Sequence, residues 1–211
     1  MQASIKNFFY SLFCALAAML LSLVTVILTS PYLYQLFNIF AKLHQEVGLT
    51  SQALQWNFGQ IVAYLIDPRI KELVLRDFAS SAAGLKHFAE VKVLIQFVLM
   101  AVFFCLVILV LIGINLYNQR AKNYYLKPML RFWQILPMIF MCLAVVAFDQ
   151  VFVFFHQVFF RNDLWMFDPL QDPIITVLPQ TFFLLLLFMT ILIYEIYLAC
   201  ILLAFSKKLA K

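Results

Sequence analysis

The chain has 211 residues, of which 65% are hydrophobic and only 12% are charged. Its mean hydropathy of +0.97 excludes an ordinary soluble domain of this length. The formal net charge is +5, but no basic patch with interleaved aromatic residues indicates nucleic-acid binding. The composition therefore predicts an all-α integral membrane protein.

Four apolar stretches are long enough to cross a bilayer. A helix needs about 20 apolar residues to span ~30 Å of hydrocarbon. The sequence predicts four transmembrane helices, at about residues 8–30, 91–115, 132–155 and 180–205. The first stretch is long and has no A-x-A-like cleavage site, so we expect an uncleaved span rather than a secretory signal peptide.

Basic residues are distributed unequally between the two sides of the predicted bilayer. One side carries cations without acidic residues: Lys6, Arg120, Lys122, Lys127, Arg131, Lys207, Lys208 and Lys211. On the other side, basic and acidic residues are mixed. Because cytoplasmic loops are enriched in Lys and Arg, we predict that both termini are cytoplasmic. The same cations predict some contact with anionic membrane lipids.

The outer segment between the first two spans, residues 31–90, is too long for a turn and is predicted to form a small helical cap. With Ser51 as the N-cap, apolar residues recur at helical spacing until Pro68 stops the helix. A second amphipathic helix is expected after Pro68, and another over residues 36–47. His44 lies among polar neighbours and is expected to be an ordinary surface residue.

The cysteines exclude one class of membrane enzyme. All of them lie inside predicted spans: Cys14, Cys105, Cys142 and Cys200. A thiol oxidoreductase needs a C-x-x-C pair or loop cysteines, and the sequence has neither. We therefore expect these cysteines to be packing residues.

The stretch Leu85–Lys92 leads directly into the second span and carries the first candidate catalytic residue, His87. A spacing of three residues places His87 and Glu90 on one helical face, where the carboxylate could orient the imidazole. Lys92 could reach lipid headgroups or stabilise an oxyanion. The alternative is that all three residues are interfacial anchors at a helix end.

The second candidate, His156, begins an outer loop at residues 156–179. Asp149 lies seven residues upstream, on nearly the same helix face and about two turns away, where it could tune His156 or bond a neighbouring helix. Further polar or aromatic candidates for supporting the site or binding substrate follow in this loop: Arg161, Asp163 and Trp165. Histidine is the side chain best suited to proton transfer near neutral pH, so the two histidines predict a proton-transfer site.

These stretches resemble the bacterial lipoprotein intramolecular transacylases over most of the chain. The family's motif more usually reads H-M-x-D-V-K where this sequence has His87–Lys92, so Phe88 and Glu90 are departures from it. The other marks of the resemblance are Phe155–Phe160, Trp165–Phe167, Asp172 and Pro179.

The resemblance implies an acyltransferase that moves the sn-2 acyl chain of a diacylglyceryl-cysteine lipoprotein to the α-amino group of the same cysteine. It implies His87 and His156 as the catalytic residues, one as base and the other as donor to the carbonyl or leaving oxygen. Lys92 and Arg161 could then steady the oxyanion or hold headgroups. The expected location is the bacterial cytoplasmic membrane, with the active site on the extracytoplasmic side. The expected substrate is a diacylated lipoprotein, and no cofactor is implied.

Other functions stay open at the level of sequence. A metal-dependent hydrolase could use His44, His87 and His156, although no H-E-x-x-H or comparable spacing supports a metal site. A non-enzymatic membrane partner or chaperone subunit is the other alternative, with the polar residues merely capping helices. Ser80 and Ser81 are a minor option for a nucleophile. The sequence contains no signal of oligomeric state.

Overall fold

The computed structural model describes residues 2–118 and 126–206. Within these residues the regular secondary structure is helical and no strand forms, which confirms the prediction of an all-α chain. The α-helices are α1 (Gln2–Ala41), α2 (Leu43–Glu46), α3 (Ser51–Ile66), α4 (Ala82–Asn118), α5 (Leu126–Val146), α6 (Phe148–Phe159) and α7 (Gln180–Ser206), with a 3-10 helix at Pro173–Val177.

Four helices of the described residues are long and apolar enough to cross a membrane, as predicted. The candidate spans are Ile5–Ala41, Ala82–Leu111, Leu126–Val146 and Gln180–Leu203. The predicted third span at residues 132–155 is divided in the structure, because α5 ends at Val146 and α6 begins at Phe148. Ala147 lies between them in a non-helical conformation.

The first helix is longer than predicted because it continues through Pro31. A proline removes the backbone N–H that would bond the carbonyl four residues earlier, here that of Ile27. The hydroxyl of Ser30 donates to this carbonyl at 2.7 Å instead. Because the freed acceptor is satisfied, α1 extends to Ala41 and takes up much of the helix predicted at residues 36–47.

Helix α3 forms where predicted, but its N-cap is Thr50 rather than Ser51. The Thr50 hydroxyl accepts a hydrogen bond from the amide of Ala53 at 3.1 Å. The Ser51 hydroxyl instead accepts from the side chain of Asn38 at 3.0 Å. Both residue types cap helices well, so the pattern predicted the start of the helix to within one residue.

The helix predicted after Pro68 is wrong, since no helix forms between Ile66 and Ala82. Leu73 and Leu75 are buried whereas Val74 is exposed, an alternation typical of extended chain. Asn57 of α3 donates to the carboxylate of Asp77 at 2.6 Å and accepts from its amide at 3.3 Å. These tertiary contacts outweigh the helical spacing of the apolar residues.

The contacts of the chain divide into two compact units. Unit 1 comprises Met1–Thr25, Leu99–Val146 and Leu187–Lys211. Its apolar core includes Leu130 and Leu198, and the Tyr194 hydroxyl donates to the carbonyl of Trp133 at 2.7 Å.

Unit 2 comprises Val26–Val98 and Ala147–Leu186. Its core centres on Tyr34, whose ring stacks on that of Phe58 at 4.1 Å and 10°. The Tyr34 hydroxyl donates to the carbonyl of Val177 at 2.8 Å, so the buried phenol is satisfied.

The start of α4 is fixed by a buried carboxylate in unit 2. Asp172 is 4% exposed and accepts hydrogen bonds from the Ser81 amide at 2.7 Å and the Ser81 hydroxyl at 2.6 Å. The same hydroxyl accepts from the Gly84 amide at 2.9 Å, which makes Ser81 the N-cap of α4. A Cβ atom on Gly84 would overlap the Asp172 carboxylate.

We expect Gly84→Ala to lower the melting temperature, because the added methyl must displace Asp172 at a cost of about 1–3 kcal/mol. Gly59→Ala in α3 is the matched control, since no atom lies within 4 Å of its Cβ position. That variant should be as stable as the wild type or more stable by up to ~1 kcal/mol. Thermal unfolding in detergent checks both variants. Equal melting temperatures of Gly84→Ala and the wild type would contradict the close approach of Asp172 to Gly84.

Candidate active site

Two buried histidines from different helices of unit 2 face each other. His87 is on α4 and His156 is on α6, and their ring centroids are 5.9 Å apart. Their residues are only 7% and 8% exposed. The structure therefore brings together the two candidates that the sequence placed far apart in the chain.

The protonation of His156 is set by the backbone of its own helix. Its Nδ1 atom lies 2.7 Å from the carbonyl oxygen of Phe152, one turn earlier. Because a carbonyl only accepts, Nδ1 carries the proton, and in the neutral imidazole Nε2 keeps the lone pair. Burial lowers the pKa of His156, while the Phe152 carbonyl acts in the opposite direction and has the smaller effect. The neutral form is thus favoured, with Nε2 available as a base.

His87 is enclosed by aromatic rings and has an unpaired nitrogen. Its Nδ1 atom is buried and has no hydrogen-bond partner among the described residues. Phe160 and Phe167 meet the imidazole edge-on, with centroid distances of 4.7 and 5.6 Å. An unpaired polar atom in such surroundings is costly, which makes it a candidate contact for a substrate.

Aromatic side chains also surround His156. Phe152 lies 4.2 Å from its ring centroid, and the Trp165 ring lies 4.7 Å away at 30°. We call the rings that enclose the two histidines the aromatic cage: Phe152, Phe160, Trp165 and Phe167. Apolar walls lower the local dielectric constant, which strengthens any hydrogen bond made inside the cage. The same walls exclude water.

Glu90 lies on α4 as predicted, but its carboxylate bonds a residue that the sequence analysis missed. The Asn162 side-chain amide donates to both Glu90 oxygens, at 3.0 and 3.1 Å. The Asn162 carbonyl oxygen in turn accepts from the amide of Leu164 at 3.0 Å. We call this pair the Glu90–Asn162 clamp. It ties the loop that carries Trp165 to the helix that carries His87.

Lys92 makes its contacts in the segment that follows α3. Its ammonium donates to the carbonyl oxygen of Asp67 at 2.9 Å and to that of Ile70. It also lies 4.2 Å from the ring centroid of Tyr64. These contacts give Lys92 a role in holding the segment that follows α3.

Three further candidates are exposed and lie outside the aromatic cage. Asp149 is in the first turn of α6, where the helix dipole favours a negative charge, about two turns or ~10 Å from His156. Arg161 and Asp163 are exposed in the loop after α6.

The residues of the alternative hypotheses have other partners. The Ser81 hydroxyl caps α4 and donates to Asp172. His44 Nδ1 lies 3.1 Å from the side-chain oxygen of Asn38. Among residues 2–118 and 126–206, no three His, Cys, Asp or Glu side chains are grouped so that they could hold a metal ion.

We expect Asn162→Asp to open the loop after α6, because a carboxylate in place of the donating amide repels Glu90. Losing a hydrogen bond to a charged group costs about 1.5–3 kcal/mol. Trypsin should therefore cleave after the exposed Arg161 at least about tenfold faster in detergent, as proteolysis follows local opening. Cleavage after Arg69, in the segment after α3, should not change.

The control for this prediction is the double variant Asn162→Asp/Glu90→Gln, which exchanges donor and acceptor. It should restore slow cleavage after Arg161. Equal cleavage rates in the wild type and the single variant would show that the clamp does not hold the loop.

Comparisons with known proteins give the family of the chain. The family model of the lipoprotein intramolecular transacylase Lit matches residues 8–183. No curated protein matches the sequence. The solved structure of Lit from Bacillus cereus is 25% identical, with a TM-score of 0.87 over 98% of this chain and 97% of that one.

Two variants of the Bacillus cereus protein are similar in fold, one with a histidine replaced by arginine and one with a histidine replaced by alanine. Each is 24% identical to this chain, with a TM-score of 0.76 over 96% of its length. The match covers 93% of the arginine variant and 94% of the alanine variant. Because the family model spans most of the sequence, the chain belongs to the lipoprotein intramolecular transacylase family.

Proposed function

We propose that His87 and His156 carry out the proton transfers of a lipoprotein intramolecular transacylase reaction. The acyl chain moves from the sn-2 oxygen of a diacylglyceryl-cysteine to the α-amino group of the same cysteine, and the product is a lyso-form lipoprotein. The observation that carries the proposal is the pair of buried imidazoles, 5.9 Å apart in the aromatic cage. In a member of this family, a closed site with two such groups suits acyl transfer.

The reaction is an ester aminolysis. A bond forms between the amine nitrogen and the carbonyl carbon, the bond from that carbon to the glycerol oxygen breaks, and a proton passes from nitrogen to oxygen. An α-amino group has a pKa near ~8 and is largely protonated at neutral pH, so a base is needed. The departing glycerol oxygen needs an acid.

The geometry supports a division of labour between the two imidazoles. His156 is the base, because its Nδ1 proton is committed to the Phe152 carbonyl and the Nε2 lone pair is available. Protonated His156 is then the acid, and it passes its proton to the glycerol oxygen through His87, which takes a proton on one ring nitrogen as it gives one up from the other. Both imidazoles are therefore neutral before and after the turnover.

The apolar walls of the aromatic cage also select the outcome of the reaction. Water attacking the ester would release a fatty acid instead of transferring it. The cage excludes water, while the amine is tethered to its own ester and so has a high effective concentration. Arg161 and Asp163 are exposed in the loop after α6. They would contact the polar parts of the lipoprotein or lipid headgroups. Membrane lipids would cover the exposed apolar faces of the spans.

We also propose that the site faces the extracytoplasmic side of the bacterial cytoplasmic membrane. All acidic residues except Glu195 belong to unit 2, whereas unit 1 carries Lys6, Lys127 and Arg131. Such a bias supports cytoplasmic termini. Other cations that contribute to it lie outside the described residues: Arg120, Lys122, Lys207, Lys208 and Lys211.

We expect His87→Ala and His156→Ala each to reduce formation of the N-acyl product by ~10²–10⁴-fold, the usual contribution of a general acid or base. Mass spectrometry of a diacylated lipoprotein incubated with the purified protein in micelles measures this, because fragment ions locate the acyl chain. Melting temperatures establish that the variants are folded.

His44→Ala is the matched control, since it removes the third histidine of the sequence, which lies on α2. It should retain activity. If the wild type leaves both acyl chains on glycerol while a known transacylase works in parallel, the proposed function fails. If both histidine variants stay active, the assigned residues are wrong.

The orientation can be tested with a membrane-impermeant maleimide on intact cells. Lys71→Cys, in the exposed segment after α3, should be labelled without disrupting the cells. Lys122→Cys, in the predicted cytoplasmic loop, should be labelled only after lysis. The native cysteines lie in candidate spans. Labelling of the protein without an introduced cysteine measures the background that they contribute. The reverse pattern would contradict the proposed orientation.

A further inference from the structure

Among the described residues, one buried indole lacks a hydrogen-bond acceptor, and it belongs to the aromatic cage. The Nε1 atom of Trp165 is buried and unpaired among the described residues. The indole of Trp133 donates to the Ser11 hydroxyl at 3.2 Å, and Trp56 is 42% exposed. A buried donor without an acceptor costs about 1–3 kcal/mol. The presence of this unpaired N–H therefore suggests that a bound molecule supplies the acceptor.

The unpaired indole and the unpaired His87 Nδ1 both belong to rings that neighbour His156. The Trp165 ring is 4.7 Å from that of His156, which is 5.9 Å from His87, and His87 Nδ1 is also buried without a partner. The other buried unpaired side-chain atoms of the described residues are oxygens of Gln55 and Glu195. Gln55 uses its amide to bond the Pro31 carbonyl, and Glu195 interacts with Gln134.

We propose that the indole N–H of Trp165 donates a hydrogen bond to the carbonyl oxygen of the substrate ester and stabilises the negative charge that develops there. This inference rests on the proposed function. As the amine adds, the carbonyl π electrons move to the oxygen, and they return when the glycerol oxygen departs. A donor aimed at that oxygen is worth more in the tetrahedral state than in the ester.

Several other donors of this region have partners elsewhere. Lys92 is committed to the carbonyls of Asp67 and Ile70. Within the loop itself, the amide of Leu164 donates to Asn162 and the amide of Met166 donates to the Asp163 carbonyl at 3.1 Å. Arg161 is exposed, so the Trp165 indole is the buried side-chain donor of this loop that has no partner among the described residues.

Replacing Trp165 by 3-benzothienylalanine tests the proposal, because sulfur takes the place of the N–H while the ring shape is kept. We expect kcat to fall by ~10²–10³-fold, as when one oxyanion donor is removed, with KM changed less than about threefold. Trp165→Phe should show the same split between kcat and KM. The sulfur analogue should unfold at the wild-type temperature or higher, since a buried unpaired donor is removed while the ring shape is kept.

Trp56→Phe is the control, because Trp56 packs against Arg76 outside the site, and its kcat should equal that of the wild type. A sulfur analogue with wild-type kcat, or a loss confined to KM, would overturn the inference while leaving the proposed function intact. If the wild type forms no N-acyl product at all, the proposed function itself fails.

Discussion

The first half of α4 holds the irregular segments of unit 2, and the candidate site depends on it. Apolar surroundings offer no water to satisfy a free backbone or side-chain group, so each break in a helix needs a partner. Polar residues of α4 and its N-cap supply these partners. Ser81 binds Asp172, Lys92 binds carbonyls after α3, Gln96 binds the last carbonyls of α3, and Glu90 binds Asn162. His87 lies in the middle of this series, so the contacts that fix the loops also fix the imidazole.

The clamp and the capping contacts explain why the unpaired atoms are informative. The polar side chains of Ser81, Glu90, Lys92 and Gln96 all have partners. Beside them, His87 Nδ1 and the Trp165 indole are buried and have no partner among the described residues. Such atoms persist where a fold leaves room for a ligand's own polar groups. A carbonyl or amine loses its hydrogen bonds to water when it enters the hydrophobic cage. Hydrogen bonds to these two atoms replace the ones that it loses.

The sequence predicted the helices that depend on the periodicity of apolar residues. It failed for the segments whose conformation is decided by tertiary contacts. Apolar runs were enough to predict four spans, and the two histidines followed from the chemistry of the residue type. The stretch after Pro68 has helical spacing, yet Asn57 binds Asp77 and keeps it extended. Asn162 is a neutral amide in a loop, with no spacing that links it to Glu90. The break at Ala147 has no proline or glycine to indicate it.

The apolar walls of the aromatic cage explain why the proposed donor to the oxyanion is a neutral group and not a cation. A lysine or arginine inside the aromatic cage would have to be stripped of water, at a cost of several kcal/mol that its attraction to a transient oxyanion would have to offset. An indole N–H is uncharged, so its burial costs far less while the site is empty. The same argument favours His156 as the base, because burial keeps its imidazole neutral until the amine gives up a proton. The His156 imidazole is then positively charged only while the ester oxygen is negative. Each charge stabilises the other in a cage from which water is excluded.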